Sequence, residues 1–85
     1  NFPNPFNPNT TIAFDVAQTE NISVVVYDLT GKMINKLVSN IYIPGHYQIT
    51  WNALDGNGNS VPSGIYVYQL RTSSMVLTRK MVLLR

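Results

Sequence analysis

The 85 residues, 45% apolar and 12% charged, suffice for one modest hydrophobic core and are too few for a core plus a deep catalytic cleft. A charged share about half the usual ~25% is the opposite of a disordered composition. The net charge of +2, with four of the six basic residues (Arg71, Arg79, Lys80, Arg85, against Lys32 and Lys36) in the last fifteen positions, is too slight for a nucleic-acid-binding face.

The opening NFPNPFNPN holds three prolines and four asparagines. Proline removes a backbone donor and biases its predecessor toward extended geometry, so residues 1–9 read as a linker or extended arm, with Phe2 and Phe6 as anchors. Residues 10–85 read as the folded domain. Residues 11–16 alternate, with Ile12, Phe14 and Val16 on one face, which is the strand period. A polar turn, 18–21, leads to a β-branched run, 22–28, with Ile22, Val24 and Val26 facing one way. Asp28-Leu29-Thr30-Gly31 ends it as a tight turn. Residues 32–38 are less regular and compatible with a short helical turn.

Residues 39–45 read as a loop closed by Pro44-Gly45, a pair suited to the centre of a type II turn. Residues 46–52 alternate again, with Tyr47, Ile49 and Trp51 inward and His46 outward. A Gly/Asn-rich loop, 53–60, follows. Val61-Pro62 reads as a very short edge strand, where proline is tolerated. Residues 64–72 put Tyr66, Tyr68 and Leu70 on one face, Ser73-Ser74 turns the chain, and 75–84 form the last strand. About seven strands, with a turn every eight to twelve residues and no long amphipathic helix, predict an all-β, immunoglobulin-like antiparallel sandwich, with a small Greek-key barrel as the alternative.

Chemistry is sparse. The carboxylates Asp15, Glu20, Asp28 and Asp55 are scattered, and His46 is the single histidine; no nucleophile or acid/base pair is suggested, and the chain reads as non-enzymatic. The absence of cysteine excludes a disulfide scaffold, a thiolate zinc site and a cysteine nucleophile. No cofactor motif is present. Asp55, Asn57 and Asn59 alternate like the start of a calcium loop, but the distal glutamate is missing and a plain Asx turn explains the same residues. Asn9-Thr10-Thr11 and Asn21-Ile22-Ser23 fit the N-glycosylation pattern, a three-residue match that arises readily by chance. Ile41-Tyr42-Ile43 reads either as an exposed apolar patch or as packing over an open end of the sandwich. There is no signal-peptide pattern, and no apolar run reaches the ~18 residues of a spanning helix.

Taken together, NFPNPFNPNTTIAF, VYDLTGK, WNALDGNG, SGIYVYQL and TRKMVLLR resemble the type A C-terminal sorting domain of the bacterial type IX secretion system, over essentially the whole length. The chain is similar also to the Ig-like domain of the flagellar hook-capping protein. The resemblance implies a non-catalytic appendage of secreted enzymes and adhesins of Bacteroidetes and related phyla. It would be carried by an upstream cargo domain through the periplasm of a Gram-negative cell and recognised by an outer-membrane translocon. In many members a surface sortase then removes it, leaving the cargo secreted or at the cell surface. Family features fall on Gly64-Ile65-Tyr66, on the turn residues Pro44 and Gly45, with Gly31 as a further backbone device, and on Lys80, Met81, Val82, Leu83, Leu84 and Arg85 as the terminal signal. Two other readings stand beside it. A structural module could self-associate by strand addition through the arm or the last strand, if that strand lies at a sheet edge rather than buried on both faces. A carbohydrate-binding accessory domain would need a row of exposed aromatics.

Overall fold

A computed structural model describes residues 9–85; the expected anchors Phe2 and Phe6 lie outside the described residues. Six strands follow one another: β1 (Thr10–Val16), β2 (Glu20–Asp28), β3 (Met33–Tyr42), β4 (Gly45–Trp51), β5 (Gly64–Arg71) and β6 (Val76–Leu83). All pairings are antiparallel. β1 and β4 form a two-stranded sheet, and the other four are ordered β3-β2-β5-β6. The two sheets face each other as a sandwich, as the period-two runs require: each presents one apolar face that must be covered.

The core has two connected parts. At one end Ile12 and Val16 of β1 pack with Ile22 and Val24 of β2 and Leu70 of β5. At the other, Trp51 packs with Val26, Ala53, Val61, Tyr66, Met81 and Leu83. Leu37 and Tyr68 touch both. Phe14, Tyr42 and Tyr47 close the first end, with ring centroids 4.7 to 5.6 Å apart.

Several expectations are corrected. Among the described residues there are six strands, because Val61-Pro62 forms none: the Val61 N–H donates to Ala53 O (3.0 Å) inside the loop, and Leu54 bridges to Ser60. Residues 32–38 contain no helical turn. From Met33 on they belong to β3, whose register against β2 slips between Val24 and Val25 and again between Val26 and Tyr27. These two bulges break the alternation that marks a strand in sequence. Residues 39–42 are strand rather than loop, since Glu20 to Ser23 supply their ladder partners. Gly45 is not the centre of a type II turn; it opens β4 opposite Val16, with φ near extended at 158°. Ile41 and Ile43 are exposed, while Tyr42 turns inward onto Phe14 and Tyr47.

The expected turn after β2 is present. Gly31 adopts φ 89°, and its N–H donates to Asp28 O (3.1 Å). The Asp28 carboxylate accepts from Thr30 N (2.8 Å), Thr30 Oγ1 (2.6 Å) and Lys32 N (3.1 Å). The Thr30 hydroxyl above all holds its pKa below the ordinary value.

Trp51 is 1% exposed, and its Nε1 donates to Leu54 O (2.9 Å). Asn35 Nδ2 donates to the same carbonyl (2.9 Å). Trp51→Phe therefore leaves Leu54 O paired and loses mainly packing, about 1–3 kcal/mol by urea denaturation. With Asn35→Leu added, that carbonyl loses both partners, and the double variant is expected to lose more than the sum of the singles.

Candidate functional site

The structure brings two of the sequence-predicted segments together. Gly64-Ile65-Tyr66 on β5 lies directly against Met81-Val82-Leu83 on β6, with Gly64 opposite Leu83, Ile65 opposite Val82, Tyr66 opposite Met81 and Val67 opposite Lys80. β6 is an edge strand of its sheet among the described residues.

The strand pleat divides the candidate signal. Met81 and Leu83 are 8% and 3% exposed and belong to the Trp51 core. Lys80 is exposed, and so are Val82 (62%) and Leu84 (74%). The continuous apolar run of the sequence is thus half core and half surface. Tyr66 is buried, 5.3 Å between centroids from Trp51. Its hydroxyl donates to Pro62 O (2.7 Å), and burial foremost raises its pKa.

Arg85 has a structural task that sequence reasoning missed. Its Nε donates to Val61 O (2.6 Å), its Nη2 to Ala53 O (3.0 Å) and its backbone N to Ser63 Oγ (2.9 Å). It clamps the 52–63 loop at both ends. Ala53 is fully buried with φ 61°, an uncommon backbone for a residue with a Cβ. No local pattern signals this clamp, because its partners are carbonyls.

The remaining candidates lie apart from this cluster. Pro44 lies between β3 and β4, and Gly45 opens β4 at the far end from Trp51. Gly31 stands in the β2–β3 turn. The Asp55 carboxylate accepts from Asn57 N (2.9 Å) and Asn59 N (3.0 Å), and Gly58 N donates to Asp55 O (3.0 Å). This carboxylate organises an Asx turn. Asn9 and Asn21 are exposed.

Among the described residues the one ion pair joins His46 Nδ1 to Asp15 Oδ1 (2.6 Å), across the β1–β4 ladder and in solvent. Two shallow grooves of about 470 and 400 Å³ occur. The first runs over the outer sheet face past Tyr27, Leu29, Val67 and Arg71; the second lies beside Asp55 and Pro62. The large aromatics Trp51 and Tyr66 are buried, which leaves them unavailable as a sugar-stacking row.

Two outcomes follow. Arg85→Ala removes the guanidinium from Val61 O, while Ala53 O keeps the Val61 N–H, and is expected to lower stability by about 1–3 kcal/mol in thermal or urea unfolding; an unchanged midpoint would show that the clamp is idle. The Asp15 hydrogen bond, followed by its charge, raises the His46 pKa above the ordinary value of 6.5. A raised folded-state pKa means that the pair's contribution is complete below the unfolded pKa and fades as pH rises through the folded one. NMR titration should show a His46 midpoint above ~6.5 that falls back in Asp15→Asn.

Comparison with known proteins adds the following. The family model described as the secretion system C-terminal sorting domain matches residues 1–84. The search of curated proteins found no match. Among solved structures, dimeric latent PorU from Porphyromonas gingivalis is similar with a TM-score of 0.73 and 22% identity, over 98% of this chain and 9% of that one. FlgD from P. aeruginosa is similar with a TM-score of 0.68 and 21% identity, over 95% of this chain and 64% of that one. At these identities the likeness shows the fold, and this chain spans only part of either relative's length.

Proposed function

The chain belongs to the secretion system C-terminal sorting domain family, and from that premise we propose that β6 and the residues after it are the surface by which the secretion machinery reads it. A domain of this family is a sorting module for type IX secretion. It sits on a cargo chain, acts with the secretion machinery, and marks a secreted or cell-surface protein. The family is non-catalytic.

The finer reading is ours. Residues 1–9 connect the upstream cargo to the domain of residues 10–85. The cargo passes through the periplasm of a Gram-negative cell. The folded domain is recognised by the outer-membrane translocon, and a surface sortase acts on it afterwards. The domain itself performs no catalysis, in keeping with Asp28 and Asp55 being engaged in turns and Asp15 in the exposed pair with His46. Within the signal, Lys80, Val82 and Leu84 are displayed for recognition, while Tyr66, Met81, Leu83 and Arg85 hold the strand in place and Gly64 pairs beside it. The observation that carries this is the alternating exposure of β6.

The alternation also dictates the test. Met81→Ala removes a core side chain and costs about 2–5 kcal/mol, so lost export in that variant would report on folding. The discriminating variant is Lys80→Ala with Val82→Ser and Leu84→Ser. Fused to a periplasmic reporter in a host with the type IX system, the native chain should export the reporter. The triple variant should export markedly less while keeping its melting temperature. Full export by the triple variant would refute the recognition role; retention of the reporter bearing the native chain would refute the sorting role itself.

A further inference from the structure

We propose that the edge of β6, unpaired among the described residues, accepts an added β-strand from another protein, and that this strand carries acidic side chains at its centre and apolar ones on either side. The proposal rests on the sorting reading for the biological setting and goes beyond it in naming the contact and its chemistry.

Geometry supplies the first argument. An edge strand presents a row of backbone donors and acceptors to whatever can pair with them. The two edges of the four-stranded sheet differ. β3 carries two register shifts against β2, and bulges twist an edge away from regular pairing. β6 pairs with β5 without interruption, from Gly64–Leu83 to Arg71–Val76. It holds no proline or glycine. It is therefore the straighter and more receptive edge.

Charge supplies the second. Arg79 and Lys80 stand at the middle of β6, both exposed and on opposite faces of the pleat. Their partners across the ladder are Tyr68 and Val67, and among the described residues neither cation has a carboxylate partner. Apolar residues flank them: Val76 and Leu77 before, Met81, Val82 and Leu83 after. A strand laid along this edge meets apolar, cationic and apolar positions in turn. Opposite charges across a ladder are favourable and like charges are not.

The same charges argue against a second copy as the occupant. Two β6 strands paired antiparallel about their centres would set Arg79 and Lys80 of one against those of the other. A parallel in-register pair would do the same. Nor does the chain hold a matching acidic strand. Asp28 and Glu20 stand at the two ends of β2, Asp15 is paired with His46, and Asp55 lies in a loop. Glu20 already accepts from Ser73 N (3.2 Å) and Ser73 Oγ (2.8 Å). The occupant is thus a different protein, and self-association through β6 is disfavoured.

The test uses the 85-residue chain and two synthetic peptides of alternating valine and threonine, one with a central pair of glutamates, the other with a central pair of lysines. Fluorescence anisotropy at low salt should show the glutamate peptide binding at least about tenfold tighter, with the gap narrowing at high salt. Hydrogen exchange should show added protection on β6. Arg79→Glu with Lys80→Glu should reverse the preference, and Arg79→Gln with Lys80→Gln should abolish it. Both pairs are exposed, and unchanged melting would confirm that the fold is kept. Failure of both peptides to bind, equal affinity, or protection on β3 or the β1–β4 sheet instead of β6 would overturn the proposal. The charge-reversed chain is then fused to the export reporter. Normal export with reversed peptide preference would overturn strand addition as the sorting contact and leave the sorting role intact. Loss of export in step with lost glutamate-peptide binding would support the contact.

Discussion

Trp51 closes β4 at the point where the chain leaves the two-stranded sheet, and its ring fills the space between the sheets at that end. Val26 from the centre of the large sheet, Tyr66 from β5, and Met81 and Leu83 from β6 all pack in the same cluster. Its indole N–H reaches Leu54 O and so fixes the first turn of the 52–63 loop. The position of β6 depends on this one burial. Large aromatics contribute the greatest apolar area per residue, and a domain of this size has few other ways to hold an edge strand in register.

From that constraint comes the division of labour along β6. A strand with one face on a core can use only alternate residues for packing. The others remain exposed, and among the described residues the backbone edge of β6 has no ladder partner. In the proposed reading, β6 thus joins stability and recognition within a few consecutive residues. Loss of function on substitution there carries two meanings, according to whether the side chain points toward Trp51 or away from it. Arg85 extends the inward set past the end of the strand, because its guanidinium satisfies the carbonyls of Val61 and Ala53.

The acidic residues follow a parallel logic. Asp28, Asp55 and Glu20 each accept hydrogen bonds from backbone N–H groups of turns or of a neighbouring hairpin. A small sandwich needs acceptors of this kind to order its turns and its one long loop, 52–63. Carboxylates spent in this way build scaffold. What remains as free charge is largely cationic, and Arg79 and Lys80 place it at the centre of β6.

Much of this is legible in the sequence. The period-two runs around Ile12, Ile22, Tyr47 and Tyr66 state which faces are buried, because a pleated strand with one face on a core leaves that imprint on its side chains. Asp28 to Gly31 announce a turn through an Asx acceptor and a glycine with positive φ. The family resemblance and the choice of Lys80 to Arg85 as candidate signal likewise come from residues in order. Tertiary structure decided the rest. β3 runs on to Tyr42 through two bulges because β2 supplies ladder partners that no local pattern reveals. Val61-Pro62 fails as a strand because the Val61 N–H closes the loop onto Ala53. Met81 and Leu83 turn inward, Val82 and Leu84 turn out, and Arg85 folds back onto loop carbonyls; a continuous apolar run followed by a cation carries no mark of that split. The physical reason is common to all of these cases. Sequence periodicity records which side chains must leave water, whereas the neighbour that covers them, and the edge left without one, are set only when distant segments meet.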